Sequence, residues 1–408
     1  MTPPSGSEPG ASPVVVADPP ADLPSVTRAG AGPAGGHLSA VDVVRFLTIA
    51  GVILVHATSF ANSTTSLAAN GVLQVFHVTR SVFLMLSAFV LTYSYQRRPL
   101  RVQAFWRRRY PLIAAPYLTW SAIYFLTDGG LHASLPVLER FLRDLSNGDA
   151  KFHLYFLLLT MQLYLVFPAL MAGLRRWPRA VIPAVWGGFA FQMLFTAAVH
   201  YRWRPPVLGV WFSRPDEVLP SYAFYVIGGI AAALHFDEVT IWIRRHYRLL
   251  AAVCAATVAL SIVSFLLDMS FLGYTPMKAA EVFQPANVIE AVAVTAAEFG
   301  LGLWMAERAS RSRLAFLARA SDVSFGLYLA HPLLLGALLD AAGWAGVTSA
   351  LRSWPSGLVE ALIALGLVPL LYAATFVAID RIRRTPVSLW LTGRRGPRPV
   401  PTPAPAPS

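Results

Sequence analysis

Hydrophobic residues are grouped along the chain in long apolar runs that are separated by short polar segments. A membrane-spanning helix needs about 20 mostly apolar residues, and the alternation that is typical of strands does not compete with these runs. Since only helices and closed barrels satisfy the backbone in lipid, we predict an all-α fold. The expected architecture is a polytopic integral membrane helical bundle of about ten transmembrane helices. The predicted spans are 40–60, 72–95, 109–127, 153–174, 179–199, 220–236, 249–267, 287–306, 323–340 and 357–379.

The composition of the 408 residues excludes two other classes of protein. Hydrophobic residues make up 56% of the chain and charged residues 13%, and the mean hydropathy is +0.54. Soluble globular proteins carry about 25% charged residues, so a single soluble domain and a disordered protein are both excluded. The one cysteine, Cys254, excludes a disulfide framework and a cysteine-rich metal site.

Both ends of the chain differ in composition from the apolar region between them. The first residues are rich in Pro, Ala, Gly and Ser, and the last residues read GRRGPRPVPTPAPAPS. Such segments cannot bury enough apolar surface to fold. We therefore predict a disordered N-terminal tail (1–36), a membrane domain (37–384) and a disordered Pro-rich C-terminal tail (385–408). The first apolar run is expected to act as a signal anchor.

The distribution of basic residues predicts how the helices cross the membrane. The formal net charge is +12, but the arginines cluster in short loops between the apolar runs, so we expect no nucleic-acid partner. With both termini in the cytoplasm, 23 of the 33 basic residues lie in cytoplasmic segments and eight in outer loops. This excess agrees with the positive-inside rule. We expect a multi-pass protein of the plasma membrane, with the lipid bilayer as one partner.

Two ionisable residues share one face of the first predicted helix. Arg45 and His56 are eleven residues apart, which places them about 20° apart around the helix axis and about 16 Å apart along it. Ionisable residues inside a membrane are costly and indicate functional sites by default. Alternatively, Arg45 extends to the interface with Asp42 as its partner, and His56 makes an interhelical hydrogen bond.

The second predicted helix carries His77 and Arg80, which are three residues apart and therefore share a face. Arg80 lies well inside an apolar run and needs a carboxylate, a carbonyl or a polar ligand. Glu298, in the middle of the eighth predicted helix, has a similar depth. Arg80 therefore either forms a structural ion pair with Glu298 or binds substrate.

Two further motifs carry candidate binding residues. The third predicted helix begins with three consecutive arginines, Arg107, Arg108 and Arg109. Arginine clusters at helix ends commonly anchor topology, but their planar guanidinium groups also suit a phosphate clamp. In the ninth predicted helix, Tyr328 and His331 are three residues apart and Pro332 loosens the backbone behind them. His331 is either a packed polar residue or a catalytic one.

Five motifs follow one another in the chain and together suggest a family. The first helix has Asp42-x-x-Arg45, and His56 follows after ten further residues. The others are VFLMLSAFVL in the second helix, the arginine-rich start of the third helix ending in Pro116-Tyr117, HLYFLLLTMQLYLVFP (153–168) and SFGLYLAHP (324–332). In this order, from about residue 38 to 340, the chain resembles the bacterial acyltransferase-3 family of multispan membrane O-acyltransferases. The HVTR segment around Arg80 is similar to the branch that acts on extracellular polysaccharide.

The resemblance implies both an activity and a set of site residues. Family members transfer an acyl group, often acetyl, from cytoplasmic acyl-CoA to a hydroxyl of a surface glycan or another exported acceptor. The family's essential Arg and His carry over to Arg45 and His56, and His56 is the expected general base. The arginines are expected to hold donor phosphates or to stabilise the oxyanion. The remaining candidates for substrate binding are Arg80, Arg107, Arg108, Arg109, His77, Tyr328, His331 and Glu298.

The chain departs from the family pattern at two places. Ala88 follows Ser87 where glycine is usual, which changes local packing. Pro111 and Leu112 stand where many members carry a further basic residue. The second departure changes the expected composition of a donor-phosphate clamp.

We expect no bound cofactor and no metal, because the nine histidines are scattered and no HExxH motif or cysteine pair occurs. Acyl-CoA, expected to be acetyl-CoA, is the donor substrate, and no oligomeric state is predicted. Three other functions fit buried charges in a helical bundle: a polysaccharide exporter or flippase, a non-enzymatic partner of an export complex, and the other large class of membrane O-acyltransferases. The halves show no internal repeat, which disfavours a transporter. That other class places its histidine in a late helix, whereas His56 lies in the first.

Overall fold

The computed structural model describes residues 35–62, 64–129, 135–203, 209–344, 346–351 and 353–396. The regular elements within these ranges are helices, and no strand occurs among them, which confirms the all-α prediction. In chain order they are α1 (Gly35–Ala61), α2 (Leu67–Phe76), α3 (Thr79–Tyr95), α4 (Val102–Thr127), α5 (Leu135–Asn147), α6 (Tyr155–Arg176), α7 (Val181–His200), α8 (Gly209–Ser213), α9 (Ala223–Leu234), α10 (Phe236–Arg245), α11 (Tyr247–Leu272), α12 (Pro276–Ala279), α13 (Pro285–Arg308), α14 (Arg311–Trp344), α15 (Val347–Leu351), α16 (Ser356–Leu362), α17 (Val368–Ile382) and α18 (Ser388–Thr392).

Within the described ranges, eight helical segments are long and apolar enough to cross a membrane. The count is nine if α9 and α10, which are bent by 90° at their junction, form one span. The predicted span 109–127 lies in α4, which is 26 residues long but contains two prolines and three arginines. A polytopic helical bundle is therefore confirmed, and eight or nine of the ten predicted spans are clearly apolar.

Helix α1 occupies the centre of the bundle. In the most apolar 18-residue stretch of α1, 72% of the residues are buried inside the bundle, whereas the corresponding share in α11 is 22%. It packs against α13 and α14 and also touches α2, α3 and α17. The contact with α13 is close because Gly302 has no side chain: a Cβ atom there would lie 2.5 Å from the Cα atom of Ala40. The helix that carries Arg45 and His56 is thus held on several sides.

Two of the spans are irregular. The second predicted span is broken between α2 and α3 at His77 and Val78, although the two helices still form one span of 29 residues. The last span contains a π-helical segment, Ile363–Leu367, between α16 and α17. Such interruptions often occur at functional sites, and His77 lies at the first of them, although its backbone angles stay α-helical and its N–H still donates to the Leu73 carbonyl oxygen.

Each tail predicted from composition overlaps a helix at the end that adjoins the membrane domain. Residues 35 and 36 belong to α1, and residues 385–396 contain α18, whose Ser388 and Thr392 are buried. A five-residue helix is too short to show a hydrophobic period, so the sequence pattern did not reveal it. The rest of both predicted tails, residues 1–34 and 397–408, lies outside the described residues.

Candidate active site

A cavity of about 180 Å³ lies between α1, α3, α4, α6 and α14. Arg45 lines it, and the Arg45 guanidinium donates to the Ser321 hydroxyl of α14 at 3.4 Å. Tyr328 also lines it and follows Ser321 by about two helical turns. The cavity therefore extends along α14 from Arg45 to Tyr328, through an otherwise largely apolar lining.

Several guanidinium groups gather at the Arg45 end. Arg394, which follows α18, also lines the cavity, and Arg109 lies within electrostatic reach of both Arg45 and Arg394. Arg109 is half-buried, and its Nε atom is buried with no hydrogen-bond partner in the described part of the chain. Arg107 and Arg108 are exposed instead. The structure thus brings one of the three consecutive arginines to Arg45 and leaves the other two at the surface.

Two histidines form a hydrogen-bonded pair beyond the Tyr328 end of the cavity. His56 Nδ1 lies 2.7 Å from His331 Nε2, and the two rings are stacked with 3° between their planes. The other nitrogen of His331, Nδ1, lies 3.0 Å from the carbonyl oxygen of Leu327. The sequence placed both histidines on helix faces but gave no reason to expect that they touch.

This arrangement fixes the tautomers of the neutral pair. A carbonyl oxygen can only accept a hydrogen bond, so the hydrogen of His331 must be on Nδ1, and its Nε2 is an acceptor. His56 must then donate from Nδ1 to that acceptor. A neutral imidazole carries one ring hydrogen, so the Nε2 atom of His56 keeps a free lone pair. That atom has the state that a general base needs.

A third histidine, His153, completes the cluster at this end and was not among the predicted site residues. Its ring centroid lies 5.7 Å from that of His331 and 6.4 Å from that of His56. The side chain is buried, and neither ring nitrogen has a hydrogen-bond partner among the residues that the structure describes. Its presence at the start of HLYFLLLTMQLYLVFP was the only sequence signal, because its approach to α14 is a long-range contact.

Tyr328 stands between the cavity and the histidines. Its hydroxyl donates to the backbone carbonyl of His153, and its ring centroid lies 6.2 Å from that of His331. The phenol is therefore held by the element that also supplies His153. The structure thus brings Tyr328 and His331 close together, and their role in a site stays a prediction.

Arg80 is paired differently from the prediction. Its Nη1 atom lies 3.6 Å from Asp216 Oδ2, and its guanidinium lies 5.9 Å from the ring centroid of Tyr155. Glu298 faces Thr48 of α1 instead, so the proposed Arg80–Glu298 pair is wrong. Similar depth in the membrane does not determine which helix faces meet. Arg80 lies within electrostatic reach of His56 and thus belongs to the histidine end.

His77 has a structural partner at the break between α2 and α3. Its Nδ1 atom lies 2.8 Å from the carbonyl oxygen of Ala280, which follows α12. Because the carbonyl can only accept, His77 donates this hydrogen bond from Nδ1. It ties the broken span to the segment that joins α11 and α13.

A comparison with known protein families identifies one domain that covers most of the chain. The acyltransferase domain family matches residues 38–379. The chain belongs to the acyltransferase-3 family. No curated protein and no solved structure matches the chain. Membership supports a membrane acyltransferase and confirms the resemblance drawn from the five motifs.

One departure from the family pattern has a packing explanation. Ala88 on α3 is fully buried and faces Gly229 on α9: a Cβ atom at that glycine would lie 3.1 Å from the Ala88 Cβ and 2.2 Å from the Met85 carbonyl oxygen. The backbones of α3 and α9 approach closely at this point. The small residue that the contact needs is on α9, so α3 tolerates alanine.

Proposed function

We propose that the protein is an O-acyltransferase that moves an acyl group, expected to be acetyl, from cytoplasmic acyl-CoA to a hydroxyl of a cell-surface glycan or another exported acceptor. The protein would lie in the plasma membrane with both termini in the cytoplasm, as the distribution of basic residues indicates. Membership of the acyltransferase-3 family supports acyl transfer. The hydrogen-bonded His56–His331 pair supports the assignment of the base and is the observation that carries the proposal.

His56 acts as general base in this proposal. Its Nε2 lone pair takes the proton of the acceptor hydroxyl as the hydroxyl oxygen attacks the thioester carbonyl carbon. The tetrahedral intermediate then expels the CoA thiolate, and His56 Nε2 returns the proton to the sulfur. The new C–O ester bond replaces the C–S bond, so the protein ends unchanged. General base catalysis contributes about 10²- to 10⁴-fold to the rate.

Arg80 stabilises the negative charge that develops on the carbonyl oxygen. It lies at the histidine end, and its Nη1 atom is buried without a hydrogen-bond partner in the described structure. A preorganised cationic donor of this kind favours an oxyanion over the neutral carbonyl. Asp216 is 46% exposed at its side chain, so it orients Arg80 while leaving part of its charge uncompensated.

The donor enters from the Arg45 end. Arg45 and Arg109 suit the donor phosphates because guanidinium groups bind phosphate in a planar fork. The rise of about 16 Å between Arg45 and His56 agrees with an extended pantetheine arm along the cavity. Drug-sized ligands occupy pockets of about 300–1,000 Å³, so a cavity of about 180 Å³ holds the arm and not the nucleotide.

The test is the O-acyl content of the surface glycan in a deletion strain. The strain is complemented with wild type, His56→Ala or Arg45→Ala, and membrane levels of each protein are measured. His235→Ala serves as the matched control, because His235 pairs with the exposed Glu238 away from the cavity. We expect ester to return with wild type and the control only. Full acylation by His56→Ala would remove His56 from the chemistry, and a change in glycan amount without a change in ester content would favour an exporter.

A further inference from the structure

The segment after the last membrane span forms part of the cavity wall. We call residues 388–394, which comprise α18 and the two residues after it, the C-terminal cap. Within the cap, Gly393 and Arg394 line the cavity together with Arg45. The composition of this segment predicts a disordered tail, and none of its residues was among the predicted site residues.

The cap is fixed to the bundle by specific contacts. The Trp120 indole of α4 donates to the carbonyl oxygen of Leu391 at 3.0 Å. Gly393 has a φ of +66°, and a Cβ atom there would lie 2.4 Å from the Leu112 carbonyl oxygen. Only glycine fits both the left-handed backbone and this close approach. The Ser388 hydroxyl donates to the Arg394 carbonyl oxygen at 2.8 Å, which closes the turn.

Positive charge exceeds negative charge around the cap. Arg394 and Arg383 both pair with Asp322, so one carboxylate serves two guanidinium groups. Asp42 adds a second carboxylate within reach of Arg45 and Arg394. Burial lowers the pKa of the Arg394 guanidinium.

Among the described residues, the charged groups gathered at the Arg45 end of the cavity are therefore four guanidinium groups and two carboxylates. The cations are Arg45, Arg109, Arg383 and Arg394, and the anions are Asp42 and Asp322. The Nε donor of Arg109 is buried and unpartnered in the described structure. An excess of cations and an unused buried donor both fit an anionic ligand.

We propose that the C-terminal cap completes the binding site for the phosphates of the acyl donor, with Arg394 as a phosphate-binding residue. The inference rests on the proposed function, since the anion is the phosphorylated part of an acyl thioester. The narrow cavity keeps that part at the mouth, where the cap lies. Arg394 lines the cavity together with Leu112, one of the two positions at which the third predicted helix lacks a further basic residue.

The experiment is a binding titration on the purified full chain in detergent. The probes are coenzyme A and 3′-dephospho-coenzyme A, each at low and high salt. The variants are Arg394→Gln, the neighbouring Arg395→Gln and Asp322→Asn. Arg395 is exposed and does not line the cavity, and Asp322→Asn loosens the cap while keeping the charge of Arg394.

The loss of one hydrogen bond to a charged group weakens binding by about 10- to 100-fold. We therefore expect Arg394→Gln to weaken coenzyme A binding by about that factor and to reduce its salt dependence. Arg395→Gln should stay within about twofold of wild type. Asp322→Asn should retain more affinity than Arg394→Gln, because it removes an anion from the site.

The possible failures can be told apart. Equal coenzyme A affinity in wild type and Arg394→Gln would overturn the inference and leave the proposed function intact. Equal losses in Arg394→Gln and Asp322→Asn, with the same fall in melting temperature, would show that Arg394 only fastens the cap. A wild-type protein that binds neither probe and transfers no acyl group from acyl-CoA would refute the proposed donor and the inference with it.

Discussion

Replacing His331 by leucine tests the hydrogen-bond chain on which the proposed catalysis depends. Leucine fills similar space but cannot accept a hydrogen bond. The Nδ1–H group of His56, now 2.7 Å from His331 Nε2, would lose its acceptor. His56 could then adopt the other tautomer or turn its ring, and either change removes the lone pair from the position facing the acceptor.

The size of the effect follows from the cost of a buried donor without a partner, about 1–3 kcal/mol. Since about 1.4 kcal/mol changes a population tenfold, the fraction of His56 in the active tautomer would fall about 5- to 150-fold. The whole contribution of a general base, about 10²- to 10⁴-fold, sets the upper limit. We expect kcat to fall about 10- to 100-fold and the KM for acyl-CoA to stay unchanged, because His331 lies beyond the cavity that holds the donor arm.

The assay is thiol release from acetyl-CoA by membrane vesicles of the producing strain, with His56→Ala vesicles as the background. His331→Gln is the matched control, because the glutamine oxygen can accept from His56 and its amide can donate to the Leu327 carbonyl. We expect this variant to retain most of the rate. If leucine and glutamine at this position give the same rate as wild type, the histidine pair has no part in catalysis and the tautomer argument fails.

Three other substitutions test separate parts of the structure. Gly302→Ala should destabilise the protein by about 1–3 kcal/mol through overpacking against Ala40. The measurement is thermal unfolding, with Gly336→Ala as the control because a Cβ atom at Gly336 meets no atom within 4 Å. Gly393→Ala should raise the KM for acyl-CoA without a comparable loss of kcat, because its left-handed backbone and close contact force the cap away; an unchanged KM would contradict the role of the cap. Arg80→Gln should lower kcat about 10²- to 10³-fold, as expected for an oxyanion donor, with partial recovery in Arg80→Lys; an effect on KM alone would place Arg80 in ground-state binding.

Much of the fold could be predicted because lipid imposes a simple rule on sequence. Each span must be a long apolar helix, so length and hydropathy locate α1, α6, α7, α11 and α13 within a few residues. The same rule gives little information on short elements. Helix α18 has five residues and is held by tertiary contacts such as that between Trp120 and Leu391, which no local period indicates.

The candidate site was predicted only where a single helix determines it. The face shared by Arg45 and His56 follows from helical geometry alone. Contacts between helices depend on how faces are rotated toward each other, which the sequence of one chain does not give. For that reason the expected partner of Arg80 was wrong, and neither His153 nor Arg394 was included among the site residues.

Under the proposed function, the different chemistry at the two ends of the cavity lets the acyl group reach the acceptor while the phosphates of the donor stay at the Arg45 end. Phosphates at the bilayer centre would be costly, whereas the Arg45 end offers guanidinium groups at the end of the span. An acyl group and a pantetheine arm carry no charge, so they fit the largely apolar cavity between Arg45 and Tyr328. Proton transfer is needed only where the acceptor hydroxyl meets the thioester. We place that point beyond the Tyr328 end of the cavity, where His56 lies. Under the proposed function, the bundle therefore moves the reactive carbonyl through the membrane and leaves the charged part of the donor behind.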